Sequence, residues 1–378
     1  MPRELHVHNK SDRPDNVVMK EALIDERSEA IQQELPNFLR GFFVYLKGSV
    51  LPMTRLAYLG DIRFFFRYLI EETDLTAAKG TGDIRQADLA GVKAVDVNIF
   101  LDYCRRYKIE GEKGVYVYSN DNKSLARKRS SVSVLFKYLY RDELVPKNIT
   151  DGFDPIRLPK PGDREIKRLE DEEVMAMLDA VTSGTGLSKR EKVFWQRTRL
   201  RDRAILVLFV TYGLRLSELR ELNLSSFNFG RGEFRIYRKR GKEATMPLNR
   251  TAERALREYI GSERRPAGEA PEGRPAEGAA DSDALFLSLR GTRLTERQIR
   301  ELVKKYTGIA LGSGRRAGYS PHKLRATTAT SLIERGNSIF DVQELLNHDN
   351  ITTTQLYAAH RRNAKRELID DMEWDDEA

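Results

Sequence analysis

Apolar residues recur at helical spacing through the first third of the chain, and this periodicity is the strongest constraint on its fold. Over residues 55–70, for example, Tyr58, Ile62, Phe65 and Leu69 fall on one face of a helix. Similar patterns predict helices over residues 31–46, 95–107 and 124–140. The sequence therefore predicts a small, all-helical domain over residues 29–150. Residues 1–28 are polar and lack this periodicity, which predicts an N-terminal arm that is flexible or is ordered only by a partner.

A proline-rich stretch separates this domain from a second one. Residues 151–166 contain repeated X-Pro steps, which keep the backbone extended and predict a linker. Residues 167–378 form the second predicted domain, with helices over residues 169–181 and 204–212. Extended runs at residues 234–238 and 244–248 flank a glycine-containing turn and predict a β-hairpin. Residues 182–192 and 264–280 are predicted to be loops, so the predicted fold is mainly α with a small β-sheet.

The charge of the chain favours a polyanionic partner. The net charge is +8, and residues 367–378 contain seven acidic and no basic side chains, so the rest of the chain carries about +15. Such a surplus is typical of nucleic-acid-binding proteins, although a basic but otherwise ordinary soluble enzyme would share it. The acidic tail has two readings, a solvated segment or one that docks on a neighbouring subunit.

Cysteine and hydropathy patterns limit the remaining classes. The single cysteine, Cys104, excludes an internal disulfide, and no Cys and His cluster has zinc-ligand spacing, so no metal is expected. The longest apolar run is too short to span a bilayer, and the N-terminus lacks the apolar core of a signal peptide. We therefore expect a cytoplasmic protein without a membrane partner.

Six polar residues in the second half supply the groups needed to break and rejoin a phosphodiester without a metal. They are Arg215, Lys239, His322, Arg325, His348 and Tyr357. Taken singly, each has an alternative structural role that involves no catalysis, such as an ion pair of Arg215 with Glu218 or a partly buried tyrosine at position 357. The hypothesis that the six residues form one catalytic site rests on their order and on their local sequence contexts.

The contexts of these residues predict helix ends. Arg215 lies just after Gly213, which is predicted to end one helix, and just before Ser217, a candidate N-cap of the next. His322 and Arg325 follow a predicted Ser-Pro helix start and share one face of its first turn, where an anion is favoured. The nine-residue spacing of His348 and Tyr357 requires a break, which a left-handed Asn347 and a new helix capped by Thr352 or Thr353 would provide.

A basic helix start in the first domain is a candidate DNA-binding surface. It contains Lys123, Arg127, Lys128 and Arg129, where cations and backbone amides can face phosphates. An ordinary solvated helix face is the alternative.

The motifs together resemble the tyrosine recombinase family, of the phage integrase and Xer type. The resemblance rests on Gly-Leu-Arg-Leu-Ser-Glu-Leu, the hairpin lysine, Ser-Pro-His-Lys-Leu-Arg-Ala-Thr and Leu-Leu-Asn-His-Asp-Asn-Ile-Thr-Thr-Thr-Gln-Leu-Tyr. It covers residues 204–360 as a catalytic α+β domain and residues 29–145 as a helical, SAM-like core-binding domain. Asn347 stands where the family usually has glycine, and the loops at 182–192 and 264–280 have no motif counterpart.

The resemblance implies roles for the six residues. Arg215 and Arg325 would clamp the scissile phosphate, Tyr357 would attack phosphorus, and His322 would be the base toward the phenol. His348 would donate a hydrogen bond to the phosphate, and Lys239 would protonate the leaving 5′-oxygen. Lys242 is the rival for the acid role and is otherwise a DNA-binding candidate.

The leading hypothesis is a site-specific recombinase that cleaves and rejoins duplex DNA through a 3′-phosphotyrosyl intermediate and needs no cofactor. The resemblance also implies a homo-tetramer on two recombination sites, with accessory or directionality proteins as further candidate partners. A type IB topoisomerase-like relaxing enzyme and a non-catalytic DNA-binding regulator on the same fold are the alternatives. The sequence leaves open the target site and the choice among chromosome dimer resolution, phage integration and mobile-element transfer.

Overall fold

The computed structural model describes residues 8–112, 114–158, 167–238, 242–264, 283–314 and 317–347. The chain divides into two compact units, Met1–Pro159 and Lys160–Ala378, so the division falls inside the predicted linker. Helices predominate in both units and each contains one small antiparallel sheet, which confirms the predicted mainly α fold class. Within the described residues, no helix combines the length and the apolar character needed to cross a membrane.

Six helices and a hairpin build the first unit. In chain order they are α1 (Asp15–Gln33), α2 (Arg40–Ser49), α3 (Pro52–Glu72), α4 (Gln86–Gly91), α5 (Ala94–Tyr103), β1 (Arg106–Gly111), β2 (Gly114–Ser119) and α6 (Asn122–Arg141). Its core is aromatic: the rings of Phe65 and Phe100 meet edge to face at 4.9 Å, and Phe136 packs beside them. This geometry is the favourable one for aromatic pairs.

The prediction of an N-terminal arm is wrong for the second half of residues 1–28. Residues from Asp15 onward form helix α1, which packs along α3, buries Ile24 and pairs Asp25 with the buried Arg55. The apolar face of α1 is narrow, and an ion pair supplies part of its contact, so hydrophobic periodicity alone did not reveal it. The predicted helix over residues 31–46 is likewise interrupted, because Pro36 disfavours the helical conformation of the preceding residue.

The first unit is not all-helical as predicted. The helix predicted over residues 95–107 ends at Tyr103, and strands β1 and β2 follow as an antiparallel hairpin. Alternating aromatic and β-branched residues favour strands here, and Gly114 adopts a φ of 124°, which a residue with a side chain rarely reaches.

The second unit surrounds a buried central helix. Its elements are α7 (Asp171–Ser183), α8 (Lys189–Trp195), α9 (Arg199–Tyr212), α10 (Leu216–Arg220), β3 (Phe227–Asn228), β4 (Glu233–Tyr237), β5 (Glu243–Pro247), α11 (Arg250–Ser262), α12 (Glu296–Ala310), α13 (Pro321–Glu334) and α14 (Ile339–Leu346). Helix α9 packs against α7, α11 and α13, and its residues from Ala204 to Phe209 are buried. The sheet has the order β3-β4-β5 with Phe234 opposite Met246, so the predicted hairpin is confirmed.

One predicted loop of this unit needs correction. Residues 182–192 include the start of α8, because Ser188 caps that helix and exchanges hydrogen bonds with Glu191. The other predicted loop, residues 264–280, lies outside the described residues after Arg264.

Candidate active site

A turn at Gly213 joins α9 to α10 and forms the first part of the candidate site. Helix α9 ends at Gly213, whose φ of 56° is left-handed, as predicted. A Cβ atom at this position would lie 2.6 Å from Cδ2 of Leu346 in α14, so a larger residue would have to displace Leu346 and adopt a strained left-handed backbone. The N-cap of α10 is Arg215 itself, whose backbone amide donates to Glu218 Oε2 at 2.7 Å. The predicted cap, Ser217, lies inside α10 instead.

The side chain of Arg215 is held from two sides. Its Nη1 donates to Glu218 Oε1 at 2.8 Å, and its Nη2 donates to the carbonyl of Asn347 at 2.8 Å. Arg215 therefore does form the ion pair with Glu218 that the sequence analysis gave as its alternative, structural role. The carboxylate fixes the orientation of the guanidinium. A quarter of the Arg215 side chain remains exposed, which leaves an accessible edge for an anion.

Arg325 approaches the same point from α13. This helix begins at Pro321 after the N-cap Ser320, as predicted, and its first turns carry both His322 and Arg325. Arg325 is only 4% exposed; its Nη1 donates to the carbonyl of Gly213 at 2.6 Å and its Nη2 to that of Leu346. His322 is exposed one turn earlier. The structure thus brings Arg215 and Arg325 together and places His322 on the adjoining turn.

The end of α14 is the meeting point of these contacts. Its last helical residue is Leu346, and Asn347 adopts the predicted left-handed cap with φ 48° and ψ 60°. The carbonyls at a helix C-terminus lack intrahelical partners and carry partial negative charge, so they attract guanidinium groups. The next residue, His348, lies outside the described residues, as do Tyr357 and Lys239.

A third guanidinium, which the sequence analysis missed, completes this arrangement. Arg238 follows β4; its Nη2 donates to the carbonyl of Leu345 at 2.8 Å, and its backbone amide donates to the carbonyl of Lys242 at 2.7 Å. Burial lowers the pKa of Arg238; Glu218 opposes this shift and Arg215 adds to it. The only sequence signal was the basic run at residues 238–240, which has no helical or strand spacing.

Three successive carbonyls at the end of α14 therefore each accept from a different arginine. Leu345 accepts from Arg238, Leu346 from Arg325 and Asn347 from Arg215. Three chain segments far apart in sequence thus concentrate positive charge at one point, the arrangement that a phosphate-binding site requires. Within the described residues, no group of acidic, His and Cys side chains could hold a metal ion.

Comparison with known proteins identifies the family of the chain. Residues 167–364 match the phage integrase family. The chain is 31% identical to the tyrosine recombinase XerC of Caldanaerobacter subterraneus subsp. tengcongensis over 89% of its own length and 85% of the relative's. It is 30% identical to XerD of Mycobacterium leprae over 90% and 96%, respectively. The chain belongs to the phage integrase family of tyrosine recombinases. It is a site-specific, DNA strand-transferring enzyme.

Solved structures of recombinases share the fold. XerH in a pre-cleavage complex with its difH substrate matches with a TM-score of 0.55 at 22% identity, covering 84% of this chain and 79% of that one. A λ integrase dimer bound to a core site matches with a TM-score of 0.54 at 17% identity, covering 89% and 96%. The recombinase thus has the architecture that its sequence motifs predicted.

The predicted DNA-facing residues of the recombinase are not equivalent. Lys123 and Lys242 are exposed, and Arg127 is partly exposed while pairing with Asp61. Lys128 is only 7% exposed; its Nζ lies 3.1 Å from Asp61 Oδ1 and 4.6 Å from the centre of the Phe64 ring. Its predicted role in DNA binding therefore needs correction, because its charge is buried and paired.

Arg129 also serves the fold of the first unit. Its guanidinium donates to the carbonyls of Asp154 at 2.9 Å and Phe153 at 3.0 Å, which ties α6 to the first residues of the predicted linker. Lys123, Arg127 and Lys242 remain the predicted residues whose cations are open to solvent.

Proposed function

We propose that the recombinase cleaves and rejoins duplex DNA with Arg215, Lys239, His322, Arg325, His348 and Tyr357 as its catalytic set. The convergence of Arg215 and Arg325 on the carbonyls of Asn347 and Leu346 is the observation that carries this proposal. In the sequence, His348 directly follows Asn347, and its own placement lies outside the described residues. A phosphate at the point of convergence would meet both guanidiniums.

The reaction needs no external energy source. The phenolic oxygen of Tyr357 forms a bond to phosphorus while the bond from phosphorus to the 5′-oxygen breaks, leaving a 3′-phosphotyrosyl link and a 5′-hydroxyl. His322 accepts the phenolic proton and Lys239 donates one to the leaving oxygen. A 5′-hydroxyl of another strand then attacks the phosphotyrosine, and the two protons return. The two arginines stabilise the charge that develops on the non-bridging oxygens.

We further propose that four copies assemble on two recombination sites, since exchange of two duplexes breaks four strands. Accessory or directionality proteins are candidate partners of that assembly. The enzyme would act in the cytoplasm, where a free thiol such as Cys104 stays reduced.

A nicked suicide substrate tests the chemistry. The nick lets the short 5′-hydroxyl fragment diffuse away, so a covalent protein–DNA adduct accumulates and can be resolved on a denaturing gel. We expect the adduct with the parent protein and with Tyr140→Phe, which changes an exposed tyrosine of α6, and none with Tyr357→Phe. An adduct in Tyr357→Phe would refute the assigned nucleophile.

A two-site plasmid distinguishes the alternative activities. Recombinant products that depend on both sites are expected of the proposed tetramer. Relaxation of supercoils without recombinants would instead support the topoisomerase-like alternative, and DNA binding without any adduct would support the regulator.

A further inference from the structure

The hairpin of the first unit exposes an unusual amount of apolar surface. Residues of both β1 and β2 are exposed on both faces of the ribbon, and the large apolar ones are Ile109, Val115, Tyr116, Val117 and Tyr118. Only the base of the ribbon is supported, where the ring of Tyr107 stacks on Tyr118 at 5.2 Å and on Tyr103 at 5.7 Å. Tyrosine-rich, exposed surfaces of this kind are typical of protein interfaces.

The same hairpin has an open strand edge. Among the described residues, β1 pairs with β2 alone, so one side of each strand presents backbone groups that are not used in the two-stranded sheet. A ribbon of two strands is marginally stable by itself, and an open edge is a template for pairing with another strand. Proteins usually protect such edges with charges that repel a second copy.

The charges of β1 would instead attract a second copy, because the charge pattern of one β1 strand is complementary to that of another β1 strand in antiparallel orientation. From residue 106 to residue 112 the strand reads Arg-Tyr-Lys-Ile-Glu-Gly-Glu, with two basic residues before Ile109 and two acidic residues after it. An antiparallel copy centred on Ile109 would place Lys108 opposite Glu110 and Arg106 opposite Glu112. Both pairs form twice by symmetry, and each joins opposite charges on the same face of the sheet.

We propose that β1 is an interface between two copies of this recombinase, which pair their β1 strands antiparallel about Ile109. The two hairpins then form one four-stranded sheet with the order β2-β1-β1-β2. On one face, Tyr116 and Ile109 of each copy form a continuous apolar row, because Ile109 lies opposite Tyr116 within each hairpin. On the other face lie the charge pairs. None of the four charged residues forms an ion pair with another described residue of its own chain, so all four are available.

The distribution of charge favours a second copy over DNA as the occupant. The ribbon carries both signs of charge, since Glu110 and Glu112 alternate with the basic residues 106, 108 and 113, so it offers a duplex no uniformly positive face, whereas a second copy can match both signs. The pairing surface of one strand is also too small to hold a dimer in dilute solution. The contact would therefore form when DNA brings copies together, which adds an interface to the proposed assembly without depending on the assigned catalytic residues.

Charge reversal with a crosslinking readout tests the interface. Ile109→Cys would place two thiols opposite each other at the centre of the pair, within reach of a disulfide. The native Cys104 would not interfere, because it is buried and burial raises the pKa of its thiol to about 12. Full-length Ile109→Cys bound along a random-sequence duplex is expected to form covalent dimers on mild oxidation. The control Val115→Cys, at a more exposed position on β2, is expected to form few.

Reversal of one charge should then abolish the contact, and a second reversal should restore it. Adding Lys108→Glu or Glu110→Lys to Ile109→Cys is expected to lower the dimer yield by about tenfold, the size of effect that two cross-strand charge pairs carry. The combined Lys108→Glu and Glu110→Lys variant is expected to recover the parent yield. Unaltered thermal melting of each variant would show that the fold is retained.

Three outcomes would overturn the interface. They are equal crosslinking through Val115→Cys, insensitivity to Lys108→Glu, and failure of the double reversal to restore the yield. A loss of DNA affinity in Lys108→Glu with a gain in Glu110→Lys, without dimers, would assign the hairpin to DNA instead. The suicide-substrate adduct of the same variants reports on the catalytic proposal separately, because cleavage of one site needs no contact between hairpins.

Discussion

At the scale of single residues, Arg215 and Arg325 have a structural role in addition to the proposed chemical one. Arg215 and Arg325 hold the end of α14 through its carbonyls, yet their guanidiniums also gather at the point where the phosphate is proposed to bind. Glu218 is 4% exposed and fixes Arg215 in place. The ion pair therefore orients the arginine and does not exclude the anion.

Removal of either clamp residue should slow the chemistry much more than binding. We expect Arg215→Ala and Arg325→Ala to reduce adduct formation by about 10² to 10³, because each removes one electrostatic contact to the transition state. Binding of uncleaved DNA, measured by gel shift, should change little. Arg231→Ala serves as the control, since that side chain is 77% exposed. Equal cleavage rates in the clamp variants and the control would contradict the assignment.

Arg238 is expected to position the general acid. It precedes Lys239 in the sequence, and its contacts to Lys242 and to the end of α14 hold the residues next to Lys239, so Arg238→Ala should slow cleavage by up to about 10² through misplacement of the acid. A substrate with sulfur in place of the leaving 5′-oxygen needs no protonation and should restore the rate. Arg235→Ala, an exposed residue of the same strand, is the control.

The sulfur substrate also separates the two candidate acids. Lys239→Ala should be rescued by sulfur if Lys239 is the acid, whereas Lys242→Ala should be slowed little on either substrate. If the sulfur substrate rescued Lys242→Ala and did not rescue Lys239→Ala, Lys242 would be the general acid. Equal loss of Arg238→Ala activity on both substrates would leave Arg238 with a purely structural role.

At the scale of helices, a buried charge cluster decides how α3 and α6 pack. Asp61 of α3 is 4% exposed and accepts from Arg127, Lys128 and Ser131 of α6. Burial of a carboxylate is costly unless its partners are in place, so this cluster fixes the contact between the two helices. The basic start of α6 thus serves the fold as well as any ligand.

Truncation of Asp61 should therefore destabilise the first unit. Asp61→Ala leaves the buried ammonium of Lys128 without its partner, which typically costs about 3 kcal/mol or more. The measurement is urea unfolding followed by circular dichroism, with Asp74→Ala in the exposed segment after α3 as the control. Equal midpoints for the two variants would show that Lys128 finds another partner or releases its proton.

At the scale of the whole molecule, the positive net charge favours DNA binding. The net charge of +8 favours a polyanion, but several of its cations are committed to internal contacts. Phosphate binding in the first unit is therefore expected from the exposed Lys123 and Arg127 and not from Lys128.

The salt dependence of DNA binding measures this contribution. Lys123→Ala should weaken binding and reduce the slope of log affinity against log salt concentration by about 0.9, the value for one phosphate contact. Lys93→Ala, an exposed lysine before α5, should leave the slope unchanged. An unchanged slope in Lys123→Ala would support the alternative interpretation, in which the start of α6 is an ordinary solvated helix face.

The sequence by itself determined the family and several local helix ends. The left-handed Gly213 and Asn347 and the Ser-Pro start of α13 depend on neighbouring residues only, so motifs could predict them. Tertiary structure alone decided the burial of Lys128, the helical state of α1 and the third guanidinium, Arg238, at the end of α14. Each of these depends on partners distant in sequence, such as Asp61, Arg55 and Leu345, and no local spacing encodes such contacts.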